Sequence, residues 1–224
     1  DQQLPLAYLD QVRRWLAPLA DQLVQRQRSS DSPLVVALSG AQGTGKSTTA
    51  AVLALLLRHG YGLEVVTLSI DDYYLGFDAR QQLAMQVHPL LATRGVPGTH
   101  NVALGIEQLT ALKAGLSGIC LPSFNKATDD YGPLKDPTLK AAQIILLEGW
   151  CVGSPPYRLP ASPAVNTLEI DKDSEGVWRQ YFIDALNGPY QDWFDLIDTQ
   201  LFLQAPSMSA VRQWRALQES KLCS

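Results

Sequence analysis

The chain has 224 residues, of which 46% are hydrophobic and 18% charged, and its formal net charge is −4. This length suffices for one α/β domain with a full hydrophobic core, and the composition is that of a globular protein. The mildly acidic charge argues against nucleic acid as a partner, because binding to a phosphate backbone needs a basic excess.

Neither membrane insertion nor secretion is indicated by the sequence. The longest apolar run, Ala50–Leu57, is too short to span a bilayer, and the first residues lack the basic-then-apolar pattern of a signal peptide. We therefore expect a cytoplasmic protein with no membrane partner. Cys120, Cys151 and Cys223 are odd in number and lack CxxC spacing, so we expect buried thiols rather than disulfides or a zinc site.

Two segments are distinguished along the chain. Residues 1–32 are predicted to form an amphipathic helical segment that packs on the outside of the core, with a helix or helix pair over Leu4–Arg28 that is broken near Pro18. Residues 33–224 are predicted to form the main domain.

Short apolar runs alternate with helical patterns in the main domain. Strands are predicted at 34–38, 63–70, 119–121, 143–147 and 199–204, and helices at 45–59, 79–92, 102–114, 175–186 and 208–222. Gly60 is predicted to cap the first of these helices, and 122–137 to be a polar loop. Strand–helix–strand order favours a mainly parallel sheet with helices on both faces, a three-layer α/β/α sandwich.

A phosphate-binding loop follows the first predicted strand. Gly40–Ser47 reads GAQGTGKS and matches the Walker A pattern GxxxxGK[ST] between a strand and a helix. The glycines let backbone N–H groups point at phosphate oxygens, and the helix adds its positive N-terminal end. Lys46 is predicted to reach the β- and γ-phosphates of ATP, and Ser47 to bind Mg²⁺. The predicted nucleotide-binding residues are Gly40, Gln42, Gly43, Thr44, Gly45, Lys46, Ser47 and Thr48.

Carboxylates follow two other predicted strands. Glu148 ends an apolar run at the edge where doubly wound sheets collect ligands, so we predict that it holds Mg²⁺ together with Ser47. Asp71 and Asp72 follow the strand at 63–70, and Asp71 is our candidate for the base that accepts a hydroxyl proton. The alternatives are a solvated Glu148 and an Asp–Asp pair that begins a turn or caps a helix.

Four segments together resemble one family. They are GAQGTGKS, SIDDYYL at Ser69–Leu75, RGVPGTHN at Arg94–Asn101 and EGWCVG at Glu148–Gly153. From Pro33 to the chain end, the sequence resembles the D-glycerate 3-kinase-like kinases, part of the wider group of uridine kinase, phosphoribulokinase and pantothenate kinase. The resemblance implies a P-loop kinase domain over residues 33–224, with Asp71 as the catalytic base and Glu148 at the magnesium site.

The resemblance also implies where the acceptor binds. The family loop reads FDKA with an arginine a few residues on, whereas this chain has Phe124-Asn-Lys-Ala and carries Tyr131 near the position of that arginine. A carboxylate or phosphate on the acceptor needs fixed positive donors. The predicted acceptor-binding residues are Asp71, Tyr73, Arg94, His100 and Lys126. The alternative is that the basic residues are solvated and that His100 is structural.

The predicted helix at 208–222 resembles the lid-side helix of these kinases and carries Arg212, Arg215 and Lys221. By this resemblance Arg215 is predicted to be catalytic, neutralising phosphate charge in the transition state; the alternative is a solvated helical face. Family members continue past this helix, which raises the hypothesis that the chain is a truncated or variant form lacking C-terminal helices.

The sequence thus predicts a kinase that transfers the γ-phosphoryl group of Mg-ATP to a hydroxyl of a small molecule, with D-glycerate or a similar hydroxy acid as the expected acceptor. Two alternatives remain open: a uridine- or pantothenate-type kinase, because the general motifs do not identify the acceptor, and a nucleotide-dependent switch ATPase. No oligomeric state is predicted.

Overall fold

The computed structural model describes residues 6, 8–138, 140–158 and 163–222, with side chains as far as residue 216. The α-helices are α1 (Tyr8–Gln11), α2 (Ala17–Arg28), α3 (Lys46–Leu55), α4 (Phe77–Gln86), α5 (Val102–Lys113), α6 (Thr167–Lys172), α7 (Val177–Asn187), α8 (Pro189–Phe194) and α9 (Met208–Leu222). The strands are β1 (Leu34–Gly40), β2 (Val65–Ser69), β3 (Phe124–Asn125), β4 (Asp130–Tyr131), β5 (Ile144–Gly149) and β6 (Thr199–Leu203). Cys223 and the predicted helix start at Leu4 lie outside the described residues.

Four strands form one sheet in the order β2-β5-β1-β6, with every pair parallel. The register sets Leu38 opposite Glu148 and Ser69 opposite the same glutamate. The carboxyl ends of β1, β2 and β5 therefore meet at one edge of the sheet, where ligands collect in doubly wound folds. Strands β3 and β4 form a separate antiparallel hairpin.

Alternate residues of the central strands pack into two cores on opposite faces of the sheet. Val35, Ala37, Ile145 and Leu147 pack with α5 and α8 on one face. On the other face, the intervening residues of β1 and β5 pack with α2 and α3. Because both faces are covered, every residue of β1 and β5 is buried. The predicted three-layer α/β/α fold with a mainly parallel sheet is confirmed.

The N-terminal segment consists of two helices, and the irregular turn between them lies just before Pro18. A π-helical turn over Val12–Leu16 joins α1 to α2, and the N–H of Ala17 donates to the carbonyl of Val12. A wider turn before proline relieves the clash that its ring would cause in a regular helix. Ala20, Leu23 and Val24 of α2 belong to the second core.

Three predicted boundaries are wrong. The helix predicted over 79–92 ends at Gln86, since Pro89 begins a separate 3₁₀ turn. The helix that begins at Lys46 continues as a π-helical turn to Gly60, and the glycine that terminates it in the left-handed conformation is Gly62, with φ +67°. Residues 119–121 form no strand, and the predicted loop at 122–137 contains the β3–β4 hairpin instead.

The structure also contains elements that the periodicity did not predict. Helices α6 and α8 are only six residues each, too short to show an apolar repeat. Cys151 is buried as expected, but Cys120 is exposed, so that expectation was wrong. Within the described ranges, no helix combines the length and apolar character that a bilayer crossing requires.

Candidate active site

The loop between β1 and α3 has the backbone geometry of an anion nest. Gly43 and Gly45 adopt left-handed φ values of +80° and +87°. A Cβ at Gly43 would lie 2.7 Å from the Cβ of Trp214, and a Cβ at Gly40 would lie 2.6 Å from the carbonyl oxygen of Leu203. The glycine pattern therefore meets two demands at once, backbone conformation and close approach.

Lys46 begins α3 and folds back over this loop. Its Nζ donates to the carbonyl of Ala41 at 3.0 Å. Burial lowers the pKa of Lys46, whereas the nearby carboxylates of Glu148 and Asp71 act in the opposite direction. The carboxylates that follow β2 and close β5 thus lie within electrostatic reach of the nest lysine.

Ser47 and Glu148 meet across the sheet edge. The Ser47 hydroxyl donates to Glu148 Oε1 at 2.9 Å, and Glu148 is buried at the end of β5. Mg²⁺ prefers oxygen ligands and commonly takes one or two protein groups plus phosphate and water, so this pair fits it. In the described part of the chain, no cluster of three or more His, Cys, Asp or Glu side chains offers a complete protein cage for a metal.

Asp71 and Asp72 lie on a 3₁₀ turn after β2 and have different partners. Asp71 Oδ2 accepts from Lys126 Nζ at 2.6 Å. Asp72 accepts from Lys135 Nζ at 2.7 Å and from the backbone N–H of Phe124 at 3.3 Å. Asp72 therefore ties β3 to the sheet, while Asp71 pairs with the exposed lysine of the hairpin.

His100 is buried beside Asp71 and stacks on Tyr74, with ring centroids 4.3 Å apart. Burial lowers the pKa of His100 to about 4, against the opposing effect of Asp71, so the ring is neutral near pH 7. Burial and interactions with Asp71 raise the pKa of Tyr74.

Tyr190 lies against His100 in the interior. Its hydroxyl accepts from the N–H of Gly98 at 2.9 Å and also contacts His100 Nδ1. The other nitrogen of the ring, Nε2, is also buried. Within the described residues that buried Nε2 has no hydrogen-bond partner.

Arg94 and Arg80 converge on one carboxylate. Both guanidinium groups pair with Asp129, and both lie over the ring of Phe124, at 5.5 and 5.6 Å. Arg94 also donates to the carbonyl of Lys126 at 3.5 Å. Among the predicted acceptor residues, the structure therefore brings Lys126 to Asp71 and places Arg94 beneath the hairpin that carries Lys126.

Tyr73 is not part of this cluster. It is buried in the core against Trp193, and its hydroxyl donates to Gln108 at 2.9 Å. Its neighbour Tyr74 is the tyrosine that lies near Asp71 and His100. The SIDDYYL motif contains both tyrosines. Only the path of the chain after the 3₁₀ turn determines which of them lies at the site.

The sequence analysis missed the residues that support the site from a distance. These are Tyr74, Arg80, Asp129 and Tyr190. Arg80 lies in a helix with little apolar pattern, where a charged residue is ordinarily solvated, yet its side chain is fully buried. Asp129 has a positive φ of 56°, and no sequence motif predicts that conformation.

Helix α9 lies against the nest from the other side. Arg215 donates to Gln42 Oε1 at 2.9 Å, and Trp214 fills the space above Gly43. The predicted catalytic arginine is thus next to the phosphate loop. The predicted contribution of Lys221 lies outside the described side chains.

Comparison with known proteins identifies similar chains. No family model matches the chain. An uncharacterised kinase of Schizosaccharomyces pombe, mug58, is 28% identical over 212 residues, covering 89% of this chain and 75% of that protein. A pantothenate kinase of Shewanella is 26% identical over 189 residues, covering 84% of this chain but only half of that enzyme.

A solved structure, D-glycerate 3-kinase from Cryptococcus neoformans, has the same fold, with a TM-score of 0.67, 24% identity, and coverage of 93% of this chain and 78% of that one. The fold, the phosphate-binding loop and the named relatives define the class of the chain, which is a P-loop kinase. Within that class it is a small-molecule kinase.

Proposed function

We propose that this protein transfers the γ-phosphoryl group of ATP to a hydroxyl of D-glycerate or a similarly small hydroxy acid. The observation that carries the proposal is the position of Asp71. It lies at the carboxyl end of β2, within electrostatic reach of Lys46, and it is paired with a lysine on the facing hairpin. A phosphate site, a carboxylate base and a cation for the acceptor are then adjacent.

In this mechanism the nest binds the phosphates through its backbone N–H groups, while Lys46 and Arg215 balance negative charge on the β- and γ-phosphates. Ser47 and Glu148 would hold Mg²⁺, which would supply further neutralisation of the phosphate charge. Thr48 stays a proposed contact of the α-phosphate.

Asp71 accepts the proton of the acceptor hydroxyl as its oxygen attacks the γ-phosphorus. One O–P bond forms to the acceptor, the bond from the γ-phosphorus to the bridging oxygen breaks, and ADP leaves with that oxygen. Because little covalent chemistry falls to the protein, its contribution is positioning and charge. Asp72 already accepts hydrogen bonds from Lys135 and from the N–H of Phe124, which supports Asp71 as the base.

Recognition of a short acid has to come from charge, because such a molecule offers little apolar area. Lys126 is the proposed ligand of the acceptor carboxylate, since its side chain is exposed and meets Asp71. Arg94 adds positive charge below it, and His100 contributes an uncharged ring next to Asp71. Tyr73, whose hydroxyl is bound to Gln108, stays in the proposal only as a support of Asp72 and Tyr74 on the same turn.

Pantothenate is the second candidate acceptor, because the Shewanella pantothenate kinase aligns with most of this chain and pantothenate also carries a carboxylate and a primary hydroxyl. A coupled ADP-release assay with D-glycerate, L-glycerate, pantothenate, uridine and ribulose 5-phosphate at equal concentration tests the proposal. D-Glycerate is expected to give the highest kcat/KM. A preference for pantothenate or uridine contradicts the acceptor and leaves the kinase class intact.

A further inference from the structure

The turn of the β3–β4 hairpin contributes to a charged cluster that is separate from the reacting groups. We call it the Asp129 clamp, and it consists of Arg80, Arg94, Asp129 and the ring of Phe124. Arg80 donates to the Asp129 carboxylate at 2.7 Å and to its carbonyl at 2.8 Å, while Arg94 pairs with the other carboxylate oxygen. One carboxylate therefore pairs with two guanidinium groups, and these three side chains together keep a net charge of +1.

Burial makes this cluster costly to disturb. The Arg80 side chain is 0% exposed, and it also donates to the carbonyl of Leu75 at 3.2 Å. A buried guanidinium that loses its carboxylate partner keeps its desolvation penalty without compensation. Asp129 is in addition the one non-glycine residue with a positive φ among the described residues. A strained conformation persists only where surrounding contacts enforce it.

The clamp lies directly below the lysine that meets Asp71. Arg94 reaches up to the carbonyl of Lys126, and the Lys126 side chain extends to Asp71 at 2.6 Å. The hairpin itself is short, two residues to a strand, so its own ladder supplies little rigidity. The position of Lys126 over the proposed catalytic base, Asp71, therefore depends on the Asp129 clamp.

We propose that Asp129 is a positioning residue, which by pairing with Arg80 and Arg94 fixes the β3–β4 hairpin so that Lys126 lies on Asp71. Arg94 contributes to the acceptor site through Lys126, while its guanidinium group pairs with Asp129. This inference concerns the acceptor side of the proposed kinase site and so rests on that function for its kinetic consequence. The structural part of the inference, the placement of Lys126 on Asp71, does not rest on that function.

The variant that tests it is Asp129→Asn. Asparagine is nearly isosteric and tolerates the left-handed conformation, so it removes the charge and keeps the backbone. Asp129→Gly, which keeps the conformation and removes the whole side chain, guards against a misfolded asparagine variant. Asp130→Asn is the matched control, because Asp130 is on the same hairpin and accepts from the backbone N–H of Phe77.

The first readout needs no acceptor. Lys126 is 58% exposed, so an amine-reactive reagent reaches it, and pairing with Asp71 slows its modification. In Asp129→Asn and Asp129→Gly, mass spectrometry of the labelled protein is expected to show Lys126 modified at least three times faster than in the parent. Lys140, which pairs with Glu64, is the internal reference. An unchanged Lys126 rate in both variants overturns the proposal whatever the acceptor is.

The second readout is a double-mutant cycle on the KM for D-glycerate. Asp129→Asn is expected to raise that KM about tenfold and to leave the KM for ATP within twofold. If Asp129 acts through Lys126, the same substitution adds nothing in a Lys126→Met background. If the two substitutions together raise the KM for D-glycerate by the product of their single effects, the proposal is overturned. If D-glycerate is not phosphorylated at all, the proposed function fails, while the labelling result still decides the role of Asp129.

Discussion

The two halves of this active site are built in different ways. The nucleotide half is one continuous segment, in which backbone N–H groups and Lys46 come from eight neighbouring residues. The acceptor half joins side chains from remote loops, with Asp71 meeting Lys126 across 55 positions and His100 meeting Tyr190 across 90. Local sequence therefore specifies phosphate binding, whereas the acceptor site depends on tertiary contacts.

The largest effect is expected in the nucleotide half. Lys46→Ala removes the mobile cation of the nest and should lower kcat/KM about 10³-fold, the scale for losing a preorganised positive charge at the transferring phosphoryl group. Steady-state ADP release measures this, with circular dichroism as the check on folding. Turnover close to that of the parent protein refutes the assignment of the P-loop as the catalytic phosphate site.

The adjacent carboxylates Asp71 and Asp72 are expected to have different roles on the acceptor side. Asp71→Asn should lower kcat about 10²-fold and preserve ATP binding, since it removes only the proton acceptor. Asp72→Asn should lower thermal stability more than kcat, because Asp72 holds Lys135 and the N–H of Phe124. Single-turnover rates and nucleotide titration separate the two. The reverse pattern, with Asp72 essential and Asp71 dispensable, makes our choice of base wrong.

His100 should couple the acceptor half to acid stability. Burial lowers its pKa from 6.5 to about 4, so between these values the unfolded state binds a proton that the folded state does not. The free energy of unfolding should therefore fall as the pH drops, by about 2 kcal/mol from pH 7 to 5.

Urea unfolding at several pH values measures this slope. In His100→Gln that share of the slope is expected to disappear, whereas in the variant of exposed His59, His59→Gln, it should remain. An identical slope in the parent and His100→Gln contradicts a buried neutral imidazole.

The smallest expected effect concerns the exposed end of the acceptor half. Lys126→Met should raise the KM for D-glycerate about tenfold and leave the KM for ATP unchanged, because one partly exposed ion pair to the acceptor is lost. Lys135→Met, which removes the partner of Asp72, is the matched control. A rise in the KM for ATP as large as that for D-glycerate means that Lys126 belongs to the nucleotide half.

The features that could be predicted from the sequence follow the same division between the nucleotide half and the acceptor half. The parallel sheet, the nest and helices 102–113 and 208–222 could be read from local patterns, because burial on both faces and the glycine spacing leave clear signatures. The β3–β4 hairpin could not, since its strands are two residues long and its order comes from Asp72 and the Asp129 clamp. Tyr190, far along the chain and in an unpredicted helix, gave no signal of its contact with His100.

The central claim, a kinase with an acceptor site opposite its phosphate nest, is tested most directly by phosphorus NMR of the protein with Mg-ATP and D-glycerate. The account predicts that ADP and a phosphate monoester of glycerate appear in equal amounts, and that Asp71→Asn slows the formation of both together by about 10²-fold. Release of ADP with only inorganic phosphate, at a rate indifferent to D-glycerate and every other acceptor in the panel, contradicts it and favours a nucleotide-dependent switch.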